Sequence, residues 1–497
     1  MVQSELNECK WVLLLCLLAA IHVFVFSAAF PFFNITDEDA HFDLVVKYSH
    51  GHFPVGLETV SVESARYLAL YSTLEYLNAP NLFPGGKFPP PEWTQPTNEI
   101  SGKMFDYKVA VRIGTNHENS QAPLYYVLAA LWFHAGKACG LHGGSLLLWL
   151  RLLNIFFVAG LVWLAHLAAR IIFPENFFLR LGVPALLAFI PQTAFYSLNN
   201  DVLSPLCFGV AFIFLVRLLR TDAPSVRLGI ATGLALAATY LSKISNLPLI
   251  AVAVAVVIFK FWSLAKTGKL RASLPSMAFL ALCAGLPISV WRIWVKLNFG
   301  DSTGNAMKMH LLGWTYKPFH EWWHHPIFTP HGFWTFISKL AATFWQGEFL
   351  WHGRPLASSV VDTIYLILSG SFVGIALFSV LRRPAVMPES QRQVLWLSFA
   401  CIMAAVGFLA GLSIIYDFHN CYYPSSAHPY FTSGRLMLGM LIPFMLLFTF
   451  GINCALKKFR DVIKFIALAI MILSMLILEM VIDWPVFSSP YNWFHME

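Results

Sequence analysis

Trp11-Val12-Leu13-Leu14-Leu15-Cys16-Leu17-Leu18-Ala19-Ala20-Ile21-His22-Val23-Phe24-Val25-Phe26-Ser27-Ala28-Ala29-Phe30-Pro31 is followed, four residues on, by Thr36-Asp37-Glu38-Asp39-Ala40-His41-Phe42-Asp43. The first stretch has the roughly 20 apolar residues that a helix needs to cross a bilayer. It lacks a convincing small-residue cleavage site and reads as a retained anchor. The second stretch places four carboxylates and a histidine in eight residues, where the chain leaves the membrane. Only 12% of the chain is charged, so this density calls for a reason. One reading is an acidic cap on a solvent-exposed helix that starts at Thr36 or Asp37. The other is a carboxylate site at the membrane surface.

Working outward, the 497 residues are 58% hydrophobic and repeat such apolar runs many times. The expected fold is an all-α polytopic membrane bundle. Spans are expected near 11–31, 148–171, 178–196, 201–219, 226–242, 246–264, 274–294, 359–381, 394–416, 435–455 and 461–482, about 11 in all. With the N-terminus inside, one set of short loops carries Arg170, Arg180, Arg217, Arg220, Arg227, Lys260, Lys266, Lys269 and Arg271. The same set continues with Arg382, Arg383, Arg392, Lys457, Lys458, Arg460 and Lys464. The opposite loops contribute Lys243 and Arg435. That bias puts the basic loops in the cytoplasm. Residues 122–135 would invert it if they crossed, so they are expected as a juxtamembrane or re-entrant helix begun by Pro123. The organisation is then an N-terminal transmembrane module over 1–294 with an outer loop at 32–147. An outer Trp- and His-rich loop follows at 295–358, and C-terminal helices at 359–497. Both outer loops should carry helices along the membrane.

The eight cysteines are scattered and form no CxxC pair, which indicates neither a disulfide framework nor a zinc site. The net charge of +7 reflects loop asymmetry and gives no reason to expect nucleic acid. No Gly-rich phosphate loop is present.

The sparse polar residues of the outer side are the acidic stretch, Asn199-Asn200-Asp201, Lys243 and Gly434-Arg435, joined by His419 and His428. Singly each has an ordinary reading: Lys243 and Arg435 snorkel, and Asp201 caps a helix. Together they supply a carboxylate to take a proton and cations to hold a phosphate at the membrane interface. That suits a glycosyl donor carried on a lipid phosphate, with Arg435, Lys243 and Arg151 as candidate phosphate partners.

At these residues the chain resembles the GT-C integral-membrane glycosyltransferases, among them the protein O-mannosyltransferases, the aminoarabinose transferases and bacterial relatives of unassigned function. The resemblance covers about 11–455. It rests on Asp37-Glu38 with His41 after the first span, Gln121-Ala122-Pro123-Leu124-Tyr125-Tyr126, Arg151-Leu152, Asp201, Leu241-Ser242-Lys243 and Gly434-Arg435. The order of these motifs is more specific than any one of them. Ala122 stands where a proline is usual and Leu436 where an aromatic is common, which leaves donor sugar and acceptor open.

The resemblance implies a GT-C-like bundle that inverts the anomeric centre. It moves a sugar from a polyprenyl-phosphate donor to a glycan, lipid or protein acceptor. Asp37 would be the base, with Glu38 orienting it or binding a metal. Asp201 would be a further metal ligand or position the acceptor. His41, Tyr125, Arg151, Lys243, His428 and Arg435 would surround the substrate. Mg²⁺ or Mn²⁺ on Asp37, Glu38 and Asp201 is compatible with this. The site would face outward from a bacterial inner membrane. The alternatives are another polyprenyl-linked glycan enzyme, such as a ligase or polymerase, and a lipid or glycan transporter. A transporter would more often show inverted repeats, and none is evident.

Overall fold

The computed structural model describes residues 2–95, 98–382, 387–421 and 423–496; Arg383 lies outside these. Within them the chain is all-α. Two short ladders, Thr315–Tyr316 with Tyr416–Asp417 and Leu350–Trp351 with Arg354–Pro355, are its paired strands.

Nine helices among the described residues are long and apolar enough to cross a membrane. Two shorter apolar helices, Phe177–Ala188 and Val226–Ser242, stand where the two remaining spans were expected. The chain is therefore an integral, multi-pass membrane protein. The first span, Val2–Ala29, shows how such a helix is built. Val12, Ala19, Val23 and Phe26 recur at helical spacing and are buried, against Leu153–Ile172 and Phe177–Ala188. Trp11, Leu14, Leu17, Leu18 and Ile21 lie on the outer surface, the face that lipid covers.

Helices Val226–Ser242 and Leu270–Phe299 approach unusually closely. A Cβ on Gly229 would fall 2.2 Å from the Ser276 carbonyl oxygen, and one on Gly233 would fall 2.5 Å from that of Leu280. This Gly-x-x-x-Gly spacing allows tight packing where lipid offers no hydrophobic drive.

Tie points mark the two ends of the bundle. At one end Arg180 pairs with Glu8 at 3.0 Å and Lys260 donates to the Leu219 carbonyl at 3.0 Å. At the other lie Arg151–Glu38, Lys243–Asp201 and Arg435 with its three carboxylates. Helix Leu124–Ala138 does not qualify as a span. It lies against helix Glu38–Ser49, as expected of an element folded back beside the bundle. In the second large loop, helix Pro330–Gln346 buries Phe336, Leu340, Phe344 and Trp345 and exposes Phe333 and Trp334. Trp345 stacks on Tyr365 with centroids 4.9 Å apart and donates to Ser369 Oγ at 2.8 Å. That anchoring brings Gln346, Gly347 and Glu348 to the end of the bundle that holds Arg435.

Candidate functional site

Helix Glu38–Ser49 starts one residue after Asp37, yet the Asp37 side chain makes no capping bond to it. Its backbone lies in the left-handed region, at φ 63°. A non-glycine residue there costs ~1–3 kcal/mol and persists only where surrounding contacts impose it. The contacts are to hand: Arg435 donates to Asp37 Oδ2 at 2.5 Å, and His117 Nε2 lies 3.2 Å from Oδ1. The carboxylate thus faces away from the helix it precedes. Burial raises the Asp37 carboxyl, but Arg435 and His117 outweigh it and hold it well below the usual carboxylate range.

Arg435 is the centre of the arrangement. Its guanidinium donates to Asp37, to Asp201 Oδ2 at 3.2 Å and to Glu348 Oε2 at 3.1 Å. Lys243 completes the Asp201 pairing at 2.5 Å. Placing Arg435 requires a glycine before it, because a Cβ on Gly434 would lie 2.2 Å from the Phe344 backbone nitrogen. The Gly-Arg pair is thus a packing device as well as a chemical one. Ser433 donates to Glu348 Oε2 at 2.6 Å. Burial pushes the Glu348 carboxyl up despite Arg435.

A second arm runs through His117 and Glu118. His117 Nε2 lies 3.2 Å from both Asp37 Oδ1 and Glu118 Oε1. Burial disfavours its charge, but hydrogen bonds to both carboxylates push its pKa up to about 10. Lys308 and Gln121 both donate to Glu118, and Asn200 donates to Gln121 Oε1 at 2.9 Å. Burial raises Glu118, but Lys308 and His117 hold it well below its ordinary range. Four carboxylates (Asp37, Glu118, Asp201, Glu348) therefore meet four cations (His117, Lys243, Lys308, Arg435).

Glu38 and Arg151 occupy a different place. Arg151 is 0% exposed and grips Glu38 with two bonds, of 2.7 and 2.6 Å. Its remaining donors reach the carbonyls of Ser27, Phe30 and Pro31. Glu38 also accepts from the backbone of Phe33 and Leu198. Both side chains are spent in this closed knot, which ties the end of the first span to the acidic turn. A buried pair so completely bonded has no oxygen left for a metal or a proton, and no donor left for a phosphate. This closed geometry favours positioning roles for Glu38 and Arg151 over the expected catalysis by Glu38 and substrate binding by Arg151.

His41 and Tyr125 are also behind the site. His41 Nδ1 is 2.7 Å from Tyr126 Oη, and burial pulls its pKa down to about 4. Tyr125 is fully buried edge-on to Tyr126. In the motif it is the second tyrosine that meets a residue of the acidic stretch. His428 is exposed at the rim of the adjoining cavity, and His419 bonds to Thr315 Oγ1.

The metal expectation changes as well. The set with ligand atoms within 4.8 Å of one another, among the described residues, is Asp37, His117 and Glu118. Glu38 is closed off, and Asp201 is taken by Lys243 and Arg435. Two carboxylates already paired with Arg435 and Lys308, plus an imidazole, do not make the oxygen-rich octahedral shell of Mg²⁺. The cluster is charge-balanced by its own side chains.

A cavity of ≈ 940 Å³ opens over this cluster. Asp37, His117, Lys308, Glu348 and Arg435 form a polar floor, while Pro191, Leu312, Phe349, Leu350, Leu356 and Ile482 supply apolar walls. A smaller depression of ≈ 580 Å³ holds Lys47, His50, His52, Glu58 and Glu63. Its charges are already paired with one another or with Asp43, so the larger cavity is the better site.

Fold and site together define a polytopic α-helical membrane protein with a charged cluster beneath a half-apolar cavity at one end. The chain belongs to the family described as Predicted membrane protein (DUF2142), whose model matches residues 18–416. No curated protein matches it.

Proposed function

We propose that the protein is an inverting glycosyltransferase of the GT-C type, using a sugar linked to a polyprenyl phosphate. The observation that carries this reading is the meeting of Asp37 and Arg435, 2.5 Å apart although 398 residues separate them, on the floor of a cavity with apolar walls. The polar floor suits a sugar phosphate and the apolar walls a prenyl chain.

In the proposed reaction an acceptor hydroxyl attacks the anomeric carbon as the carbon–oxygen bond to the phosphate breaks. The hydroxyl proton passes to Asp37. The leaving lipid phosphate keeps the electron pair, and Arg435 with Lys243 and Lys308 stabilises its charge. Arg435 meets three carboxylates in the donor-free protein. An arriving phosphate would compete for that fork, and the contact most readily given up is Asp37, the more exposed of the closely paired acids. Donor binding would then free the base. The basic loops gather at the opposite end of the bundle, which supports an extracytoplasmic site in a bacterial inner membrane. The inverted repeats that a transporter more often shows are not evident in the sequence.

Donor binding to Arg435 variants tests the reading. Arg435→Ala should lose ~1.5–3 kcal/mol of affinity for a polyprenyl-phosphate sugar, and Arg435→Lys should keep part of it. Equal binding by all three proteins, in one detergent and salt, would remove Arg435 from the site.

A further inference from the structure

The cavity has a second polar wall that the proposed reaction does not use. Glu479 and Asp483, at the end of helix Asp461–Ile482, line it together with Asp362, from the first turn of helix Ser359–Arg382. Among the described residues no hydrogen bond or ion pair joins these acids to the Asp37–Arg435 cluster.

Two of the three have partners. Glu479 lies 2.8 Å from His22 Nε2 and accepts from Tyr196. Asp362 Oδ1 accepts from Gln346 at 2.6 Å, which leaves its other oxygen free. Asp483 has none. It is 7% exposed, and among the described residues its carboxyl has no hydrogen-bond or ion-pair partner. It precedes the short helix Trp484–Phe487 but makes no capping bond to it. The ordinary explanation for an acid at that position therefore does not apply. A buried acid without a partner costs free energy unless something supplies hydrogen bonds and positive charge.

We propose that Asp483 and Asp362 form a subsite for a protonated amine, carried by an amphiphile whose chain lies along Leu350, Leu356 and Ile482. An ammonium brings three donors and the compensating charge, whereas a hydroxyl brings one donor and no charge. Burial and the neighbouring Glu479 push the Asp483 carboxyl well above its usual range, as fits a position that lacks a compensating positive charge. A divalent cation fits less well, since the compact ligand set among the described residues is the one around His117. The subsite shares the cavity's apolar walls with the proposed donor but does not require the sugar-transfer reading.

The test is native mass spectrometry of the full-length protein in a neutral detergent, with dodecylamine and N-dodecylacetamide as probes. Dodecylamine should bind saturably, and N-dodecylacetamide about ten-fold more weakly or not at all. Asp483→Asn should weaken amine binding about ten-fold and Asp362→Asn by less, whereas Asp37→Asn should leave it unchanged. Asp483→Asn should also melt no lower than the parent without ligand, because it removes an uncompensated buried acid. Equal binding of the two probes, equal amine binding by Asp483→Asn and parent, or a lower melting temperature for Asp483→Asn would each overturn the proposal.

Discussion

Asp37 stands before a helix and does not cap it, and that single departure carries most of the proposed chemistry. Its left-handed backbone turns the carboxylate toward Arg435 and His117. His117 is the residue through which pH should act. Its folded pKa is raised to about 10 from an ordinary value near 6.5. Its contribution is therefore complete below about pH 6.5 and lost as pH climbs through 10. Thermal stability should fall across that window in the parent, and the fall should be shallower in His117→Gln. Identical pH profiles for the two would show that His117 does not hold this proton. At this scale the sequence revealed Asp37, Asp201, Lys243 and Arg435, because lone charges beside apolar spans are conspicuous. It did not reveal His117 and Glu118, which sit in a polar stretch without periodicity. Glu348 was hidden among the tryptophans and histidines of 314–352, which read as interfacial anchors.

Among elements, the joint between the first span and helix Glu38–Ser49 decides whether the site exists. Glu38 looked like half of a catalytic pair because adjacency in sequence suggests shared work. Asp37 precedes the helix in a left-handed conformation that sends its side chain to the cavity, whereas Glu38, the first helical residue, turns into the Arg151 knot. Glu38→Gln should leave the Arg151 charge buried with half its partner gone, at a cost of about 3–5 kcal/mol. Thermal melts in detergent should show a large drop for Glu38→Gln and a small one for Asp37→Asn. The opposite order would return Glu38 to the reacting centre. Helix Leu124–Ala138 was legible as an element that does not cross, because only that assignment keeps the basic loops on one side. Of the two shorter apolar helices, Val226–Ser242 coincides with its expected span, whereas Phe177–Ala188 differs from the 178–196 that hydropathy suggests. It ends at Ala188, short of residue 196, and residues 193–196 form a separate 3-10 turn.

For the whole molecule, the cluster gathers ties between residues as far apart as 37 and 435 at one end, while Glu8–Arg180 ties the other. Hydropathy gave the bundle but not these pairings, which depend on how helices meet in three dimensions. The proposed reaction requires them on the outer side of the membrane. Cysteines placed at Ala110 and His310 should both react with an impermeant maleimide added from the outer side of intact cells. Protection of either, with labelling only after the membrane is opened, would put that loop and its cluster on the wrong side.

Single-turnover transfer of radiolabelled sugar from a polyprenyl-phosphate donor, in proteoliposomes, addresses the central role of Asp37 most directly. Asp37→Asn keeps the side-chain shape and removes its basicity. Transfer should slow by about 10²–10⁴-fold, with donor still bound. Transfer by Asp37→Asn at the parent rate would contradict the assignment of the base and the reaction built on it.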